Sequence, residues 1–191
     1  MTIRNVVRGL ALASAMSLVL AACGSDDGDS GTGTVAKDLN LISSGTLKVC
    51  SDVPYPPFED FDKSADLGYS GFDIDLVSAI AKGLGVKVEI KDSDFDALQG
   101  GILFNSRQCD LGASAMTIND KRKEKIGFTD GYYASKQSLL VPTGSDIKSI
   151  ADLAGKKVGV QKGTTGETYT EENAPEADRV QFSDDGKMYT A

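Results

Sequence analysis

CDLGASAMTINDKR, Cys109 to Arg122, is the stretch on which the reading of this chain turns. Its apolar run, Leu111, Gly112 and Ala113, reads as a short strand, and small and hydroxylated residues follow at once: Ser114, Ala115 and Thr117. A strand that stops among such residues leaves backbone N–H groups and hydroxyls unpaired at its C-terminal end, where open α/β sheets take their ligands. Asn119 or Asp120 can cap a turn directly afterwards, which aims further N–H donors the same way and favours negative charge. Arg122 adds a planar fork of donors that matches a carboxylate bidentately. This is the make-up of a site for a small anion. Taken alone, Arg122 also reads as one charge of the solvated run Lys121 to Lys125, and the stretch does not choose between the two.

Working upstream, Ser93 is placed to cap a helix in which Phe95, Leu98 and Ile102 face a sheet. Val86, Val88 and Ile90 alternate with Lys87 and Glu89, the pattern of a strand. Apolar positions 72, 76, 79, 80 and 84 follow helical spacing, with Asp73 and Asp75 in the first turn and Gly85 placed to end it. Those two acids read as compensation of the helix dipole, not as a catalytic pair. Leu47 to Cys50 forms a further strand, and prolines 54, 56 and 57 forbid both helix and continued pairing. A stiff loop then presents Asp52, Tyr55 and Phe58 at the strand's C-terminal end, where loop-to-core packing is the other reading of the aromatics, of Phe58 more than of Tyr55. The order strand, helix, strand, helix, strand predicts a parallel, doubly wound unit.

Downstream, Phe128 to Tyr133 reads as a loop and Ser138 to Val141 as a strand that runs into the hinge-like Pro142-Thr143-Gly144. A second α/β unit follows: a helix over Ile147 to Leu153 stopped by Gly155, strands at Val158 to Val160 and Val180 to Phe182, and a helix from Lys187. Lys162 to Glu167, KGTTGE, is a strand-to-helix turn of glycines and hydroxyls. Its lysine precedes the glycine, so it is not a nucleotide-binding loop, but the geometry suits a carboxylate.

Four of these stretches, SDVPYPPFE (Ser51 to Glu59), GFDIDLVSAIAKGLG (Gly71 to Gly85), DFDAL (Asp94 to Leu98) and SAMTINDKR (Ser114 to Arg122), stand in one order and spacing. Together they resemble family 3 of the bacterial extracellular solute-binding proteins, the amino-acid receptors of ABC importers. The resemblance runs from about Leu39 to the C-terminus. It implies an α/β fold of the two-lobed, periplasmic-binding-protein-like (type II) kind, with the first lobe nearly complete and the second truncated. It also implies that Asp52, Tyr55 and Phe95 surround a ligand side chain. Arg122, Thr117 and the backbone near Thr165 would hold an α-carboxylate, and Ser114 and Thr117 an ammonium group. By the same comparison the acid that completes the ammonium site and the rest of the second lobe are missing, so the chain reads as incomplete.

The N-terminus reads as an export segment: Arg4 and Arg8 precede an apolar run from Leu10 to Leu20. That run of about a dozen residues is too short to span a bilayer core of roughly 30 Å as a helix. Leu20-Ala21-Ala22-Cys23 resembles the lipobox of bacterial lipoproteins, which implies lipid on Cys23 and a membrane-anchored protein exported to the periplasm or cell surface. Gly24 to Thr34 has nothing to bury and is expected to be a flexible tether. The expected organisation is therefore a signal peptide over 1–22, a lipid-anchored linker over 23–38, lobe 1 over 39–141 and a partial lobe 2 over 142–191.

Composition narrows the chemistry. The 191 residues are 40% hydrophobic and 25% charged, ordinary for a globular chain, with a formal charge of −8. Without residues 1–22 the balance is 18 basic against 28 acidic residues, which argues against nucleic acid. The chain has no histidine, which removes histidine-based nucleophilic catalysis and imidazole metal ligation. Its three cysteines lack CxxC spacing, so no metal and no cofactor is expected. With Cys23 acylated, Cys50 and Cys109 remain as an even pair in an oxidising compartment. Whether they pair is left open, because a parallel register could hold their Cα atoms beyond the roughly 7 Å a disulfide allows. The expected function is capture of a polar or basic L-amino acid in an interlobe cleft and its delivery to a membrane permease. A receptor's sensing domain or a periplasmic enzyme of the dehydratase or transglycosylase kind are the alternatives on this fold. Enzymatic activity is not expected, since no general acid stands out over the ligand.

Overall fold

The computed structural model describes residues 39–191, so the export segment, Cys23 and the tether lie outside the described residues. Strand β1 (Thr46–Ser51) alternates its side chains across a sheet: Leu47 and Val49 enter one core cluster and Cys50 the other. β1 pairs in parallel with β4 (Lys87–Asp92) and with the short β5 (Leu111–Gly112), in the order β4-β1-β5. Helix α1 (Phe72–Leu84) covers the first face with Val77 and Ala81, and Leu98 and Leu103 cover the second. Helices on both faces of a parallel sheet give the doubly wound unit that the element order predicts. A two-stranded antiparallel ribbon, β2 (Asp60–Phe61) with β3 (Tyr69–Ser70), closes the proline loop.

In the first lobe, four expectations need correction. The buried stripe of α1 is Asp73, Ile74, Val77 and Ala81, while Phe72 and Ile80 are exposed. The helix is turned because Asp73 is drawn inward: its carboxylate accepts from the Ala115 N–H at 2.7 Å and the Tyr132 hydroxyl at 2.8 Å. Next, Asp94 rather than Ser93 caps α2 (Phe95–Gln99), accepting from the Ala97 N–H at 3.0 Å. The helix then breaks at Gly101, whose φ of 81° belongs to the left-handed region, before α3 (Ile102–Asn105). That break turns Ile102 out to 62% exposure and puts Leu103 in the core instead. Finally, Ser138 to Val141 is not a strand: nothing among the described residues pairs with it, and Leu140 is 85% exposed. A short apolar run without a partner ladder gives no strand.

The second unit is smaller. Ile147 to Leu153 forms only a 3₁₀ turn (Ile150–Leu153), closed by a capping box between Ser149 and Asp152. β6 (Lys157–Gln161) and β7 (Asp178–Phe182) pair in parallel, joined by α5 (Thr165–Asn173), with Leu153, Ala174 and Ala177 as their core. After β7 comes α6 (Asp185–Thr190). On the first sheet, Cys50 and Cys109 have Cα atoms 5.7 Å apart and their sulfurs are bonded as a disulfide. Cys109 lies just before β5, which is in register with the end of β1, so the two strands bring the cysteines together and do not separate them.

Candidate functional site

The C-terminal ends of β1 and β5 meet at Ser114. Its hydroxyl donates to Glu59 Oε1 at 2.5 Å and accepts from the Asp52 N–H at 3.1 Å, so both its bonds lie inside the first lobe, beneath Asp52. Burial, opposed by the Ser114 hydrogen bond and reinforced by Asp73 and Asp52, pushes the Glu59 carboxyl up to about 9. Glu59 Oε2 has no hydrogen-bond partner among the described residues, as suits a carboxyl that keeps its proton. Asp52, only 5% exposed, is likewise pushed up to about 7 by burial, opposed by its Gln161 hydrogen bond and reinforced by Asp92, Asp94 and Asp184. Burial also raises Asp73.

These acids have a consequence for stability. A carboxyl whose folded value lies above its unfolded one binds a proton more tightly when folded, so its contribution is present at low pH and is lost as pH rises toward the folded value. For Glu59 the window runs from its ordinary 4.5 to about 9. Glu59→Gln is therefore expected to flatten the loss of stability between pH 6 and 9, by up to about 1.4 kcal/mol per pH unit. Urea midpoints across that range check it, and an unchanged slope in the variant would contradict a protonated Glu59.

Arg122 follows from α4 (Asp120–Lys123), whose cap is Asn119: the Asn119 side chain accepts from the Arg122 N–H at 2.9 Å. The short capped helix turns the arginine inward, and it is 3% exposed in spite of its charged neighbours. Its guanidinium lies 5.1 Å from the centre of the Phe95 ring, a cation–π contact that holds the plane. Nε donates to Gln99 Oε1 at 3.3 Å, Nη1 to the Thr117 carbonyl at 2.7 Å and Nη2 to the Gly163 carbonyl at 3.0 Å. Three of the guanidinium's five N–H groups are thus used, which leaves one on each Nη. The solvated-charge reading of Arg122 is thereby excluded.

The lobe built on β6 and β7 meets these groups with one turn. Gln161 donates its amide to Asp52 and, at 3.3 Å, to the Ser183 carbonyl. Lys162 pairs with Asp96 at 2.9 Å, and Gly163 receives Arg122. Thr165, at the start of α5, lies 3.3 Å from the Thr117 hydroxyl and accepts from Gln137 at 3.0 Å. Tyr55, on the proline loop, is half-buried and stacked on Phe58, their ring centres 5.6 Å apart, with the Asp185 and Glu59 carboxyls as its charged neighbours. The structure therefore brings Asp52, Thr117, Arg122, Phe95 and Thr165 together where the two lobes meet, with Ser114 beneath Asp52. Reading the sequence missed Gln161, Gln99 and Glu59. Gln161 had a usable signal, since it ends a parallel strand. Glu59 had none, being one acid in a loop.

Comparison with known proteins identifies the family. The model of the bacterial extracellular solute-binding proteins, family 3, matches residues 47–183. The chain is 36% identical over 180 residues to the arginine-binding extracellular protein ArtP of Bacillus subtilis (strain 168), covering 92% of this chain and 65% of that relative. An ancestral arginine-binding protein bound to arginine superposes with a TM-score of 0.71 at 40% identity, over 76% of this chain and 64% of that one. An ancestral arginine-binding protein bound to glutamine superposes with a TM-score of 0.72 at 40% identity, over 78% of this chain and 64% of that one. The chain thus spans slightly less than two thirds of the length of these relatives. Its two-lobed α/β fold is of the type II periplasmic-binding kind, and the chain belongs to family 3 of the bacterial extracellular solute-binding proteins.

Proposed function

We propose that this protein is the substrate-binding lipoprotein of an ABC transporter, capturing a polar or basic L-amino acid between its lobes and handing it to a membrane permease. The observation that carries the reading is Arg122: a buried guanidinium, fixed by both lobes and by Phe95, with one N–H left on each Nη for a carboxylate. Thr117 and the backbone at Thr165 would complete the carboxylate site, and Thr117 would meet the ammonium, with Ser114 beneath it, its hydroxyl bonded to Glu59 and the Asp52 N–H. Asp52, Tyr55 and Phe95 would surround the side chain. The acids that raise Asp52, namely Asp92, Asp94 and Asp184, make that end of the cleft negative and favour a cationic side chain. Relatives named for arginine, and a neighbour that carries glutamine, support the same ligand class.

Binding rather than catalysis is the proposed activity. The enzyme alternative has one feature in its favour, an Asp52 carboxyl at about 7, in the range a general acid needs. That carboxyl is hydrogen-bonded to the Gln161 amide, which makes it part of the cross-cleft contact. Lipid on Cys23 would hold the protein at the membrane, and mass spectrometry of membrane-extracted protein tests it: an unmodified Cys23 would refute the anchor. Calorimetric titration of the full-length protein with the twenty amino acids tests the capture itself. Uptake of a polar or basic amino acid is expected, and heat from none of them would overturn the reading.

A further inference from the structure

We propose that Gln99 is a positioning residue for Arg122, set by an ion pair across the cleft between Lys162 and Asp96, so that bringing the lobes together fixes the guanidinium for a carboxylate. The inference rests on the amino-acid reading above and adds the means by which lobe closure reaches the arginine.

Four side chains form one continuous chain of contacts. Lys162 of the second lobe pairs with Asp96 Oδ2 at 2.9 Å. Asp96 Oδ1 accepts from Gln99 Nε2 at 3.0 Å, and Gln99 Oε1 accepts from Arg122 Nε at 3.3 Å. The direction of each bond is forced. A guanidinium can only donate and a carboxylate can only accept, so the group between them must offer one acceptor and one donor, as a primary amide does. Leucine at 99 could do neither, and glutamate could not donate to Asp96. The hydrogen bonds from Lys162 and then Gln99 hold the Asp96 carboxyl below the usual carboxylate range, so it stays an acceptor throughout.

Gly163 gives independent support. It stands at φ +80°, and a Cβ there would lie 2.9 Å from Asp96 Oδ1 and 3.3 Å from Gln99 Nε2. Only a residue without a side chain lets the turn approach this pair so nearly. The Gly163 carbonyl at the same time accepts from Arg122 Nη2. One turn of the second lobe therefore touches both ends of the chain: the acid that orients Gln99 and the arginine that Gln99 orients. Lys162 and Asp96 have side chains 59% and 37% exposed. An ion pair so placed adds little to stability. Its effect is to aim Gln99 when the lobes meet.

The test is calorimetry on the full-length protein with two ligand pairs, L-arginine with L-argininamide and L-glutamine with L-glutaminamide, in which the α-carboxylate is kept or replaced by an amide. The wild type should prefer the acid of whichever pair it binds. In Gln99→Leu, affinity for the acid should fall about tenfold, the scale of one hydrogen bond to a charged group, with affinity for the amide little changed. Melting temperature should stay within a few degrees. Lys162→Met should shift the preference in the same direction, and adding it to Gln99→Leu should cost nothing further. An unchanged acid-to-amide preference in Gln99→Leu, or equal losses for both ligands, would overturn the positioning role while leaving the amino-acid reading in place. A wild type that binds neither acid would overturn both.

Discussion

Arg122→Ala in the full-length protein is expected to abolish amino-acid binding. The side chain is the buried cation at the strand ends, and removing one partner of a buried, hydrogen-bonded charge pair costs about 2 to 5 kcal/mol, or roughly 30-fold to several thousandfold in affinity. Phe95 below the guanidinium and the carbonyls of Thr117 and Gly163 beside it hold the plane in one orientation, so charge alone should not restore binding. Arg122→Lys, which keeps the charge and loses the fork, should recover only part of the affinity. Calorimetry measures both variants, with melting curves to confirm that each is folded. A variant without Arg122 that binds within threefold of the wild type would remove the assignment.

The second large effect concerns the bridge between Cys50 and Cys109. It closes a loop across a sequence separation of 59 and ties β1 to the entry of β5, between the two strands whose ends carry Asp52 and Ser114. For a loop of that length, chain entropy in the unfolded state gives a stabilisation of about 4 kcal/mol. Cys50→Ala with Cys109→Ala should lower stability on that scale and shift the melting temperature down by about 10 °C. Reductant should destabilise the wild type and leave the double variant unaffected. A thiol assay on unfolded, unreduced protein that finds both cysteines free would rule the bridge out.

What could be read from the sequence was set by how local the signal is. The β1–α1–β4 order, the end of α1 at Gly85, a cap at Asn119 or Asp120 and the strands β6 and β7 are marked by residues adjacent in the chain, and each was legible. The face that α1 buries was not, because Asp73 is turned inward by Ala115 and Tyr132, more than forty residues away. Ser138 to Val141 carries a short apolar run like that of a strand, but a strand is a relation to a partner and no local pattern supplies one. At the site, Arg122 and Thr117 stood out as residue types that anion chemistry needs together, and the family resemblance chose that reading over a solvated charge. Gln161 and Gln99 were not, since their roles exist only once two separate sheets face each other. Likewise the bridge between Cys50 and Cys109 depended on a register that composition does not give.

The central claim is that the α-carboxylate of a free amino acid is held on Arg122 between the lobes. It is tested most directly by titrating the full-length protein with L-arginine and, beside it, with agmatine, which keeps the guanidinium and amine and lacks the carboxylate. The account predicts binding of the amino acid and an affinity for agmatine weaker by about 30-fold or more, the loss of a buried charge-assisted pair. Equal affinity for the two, or a preference for agmatine, would contradict it.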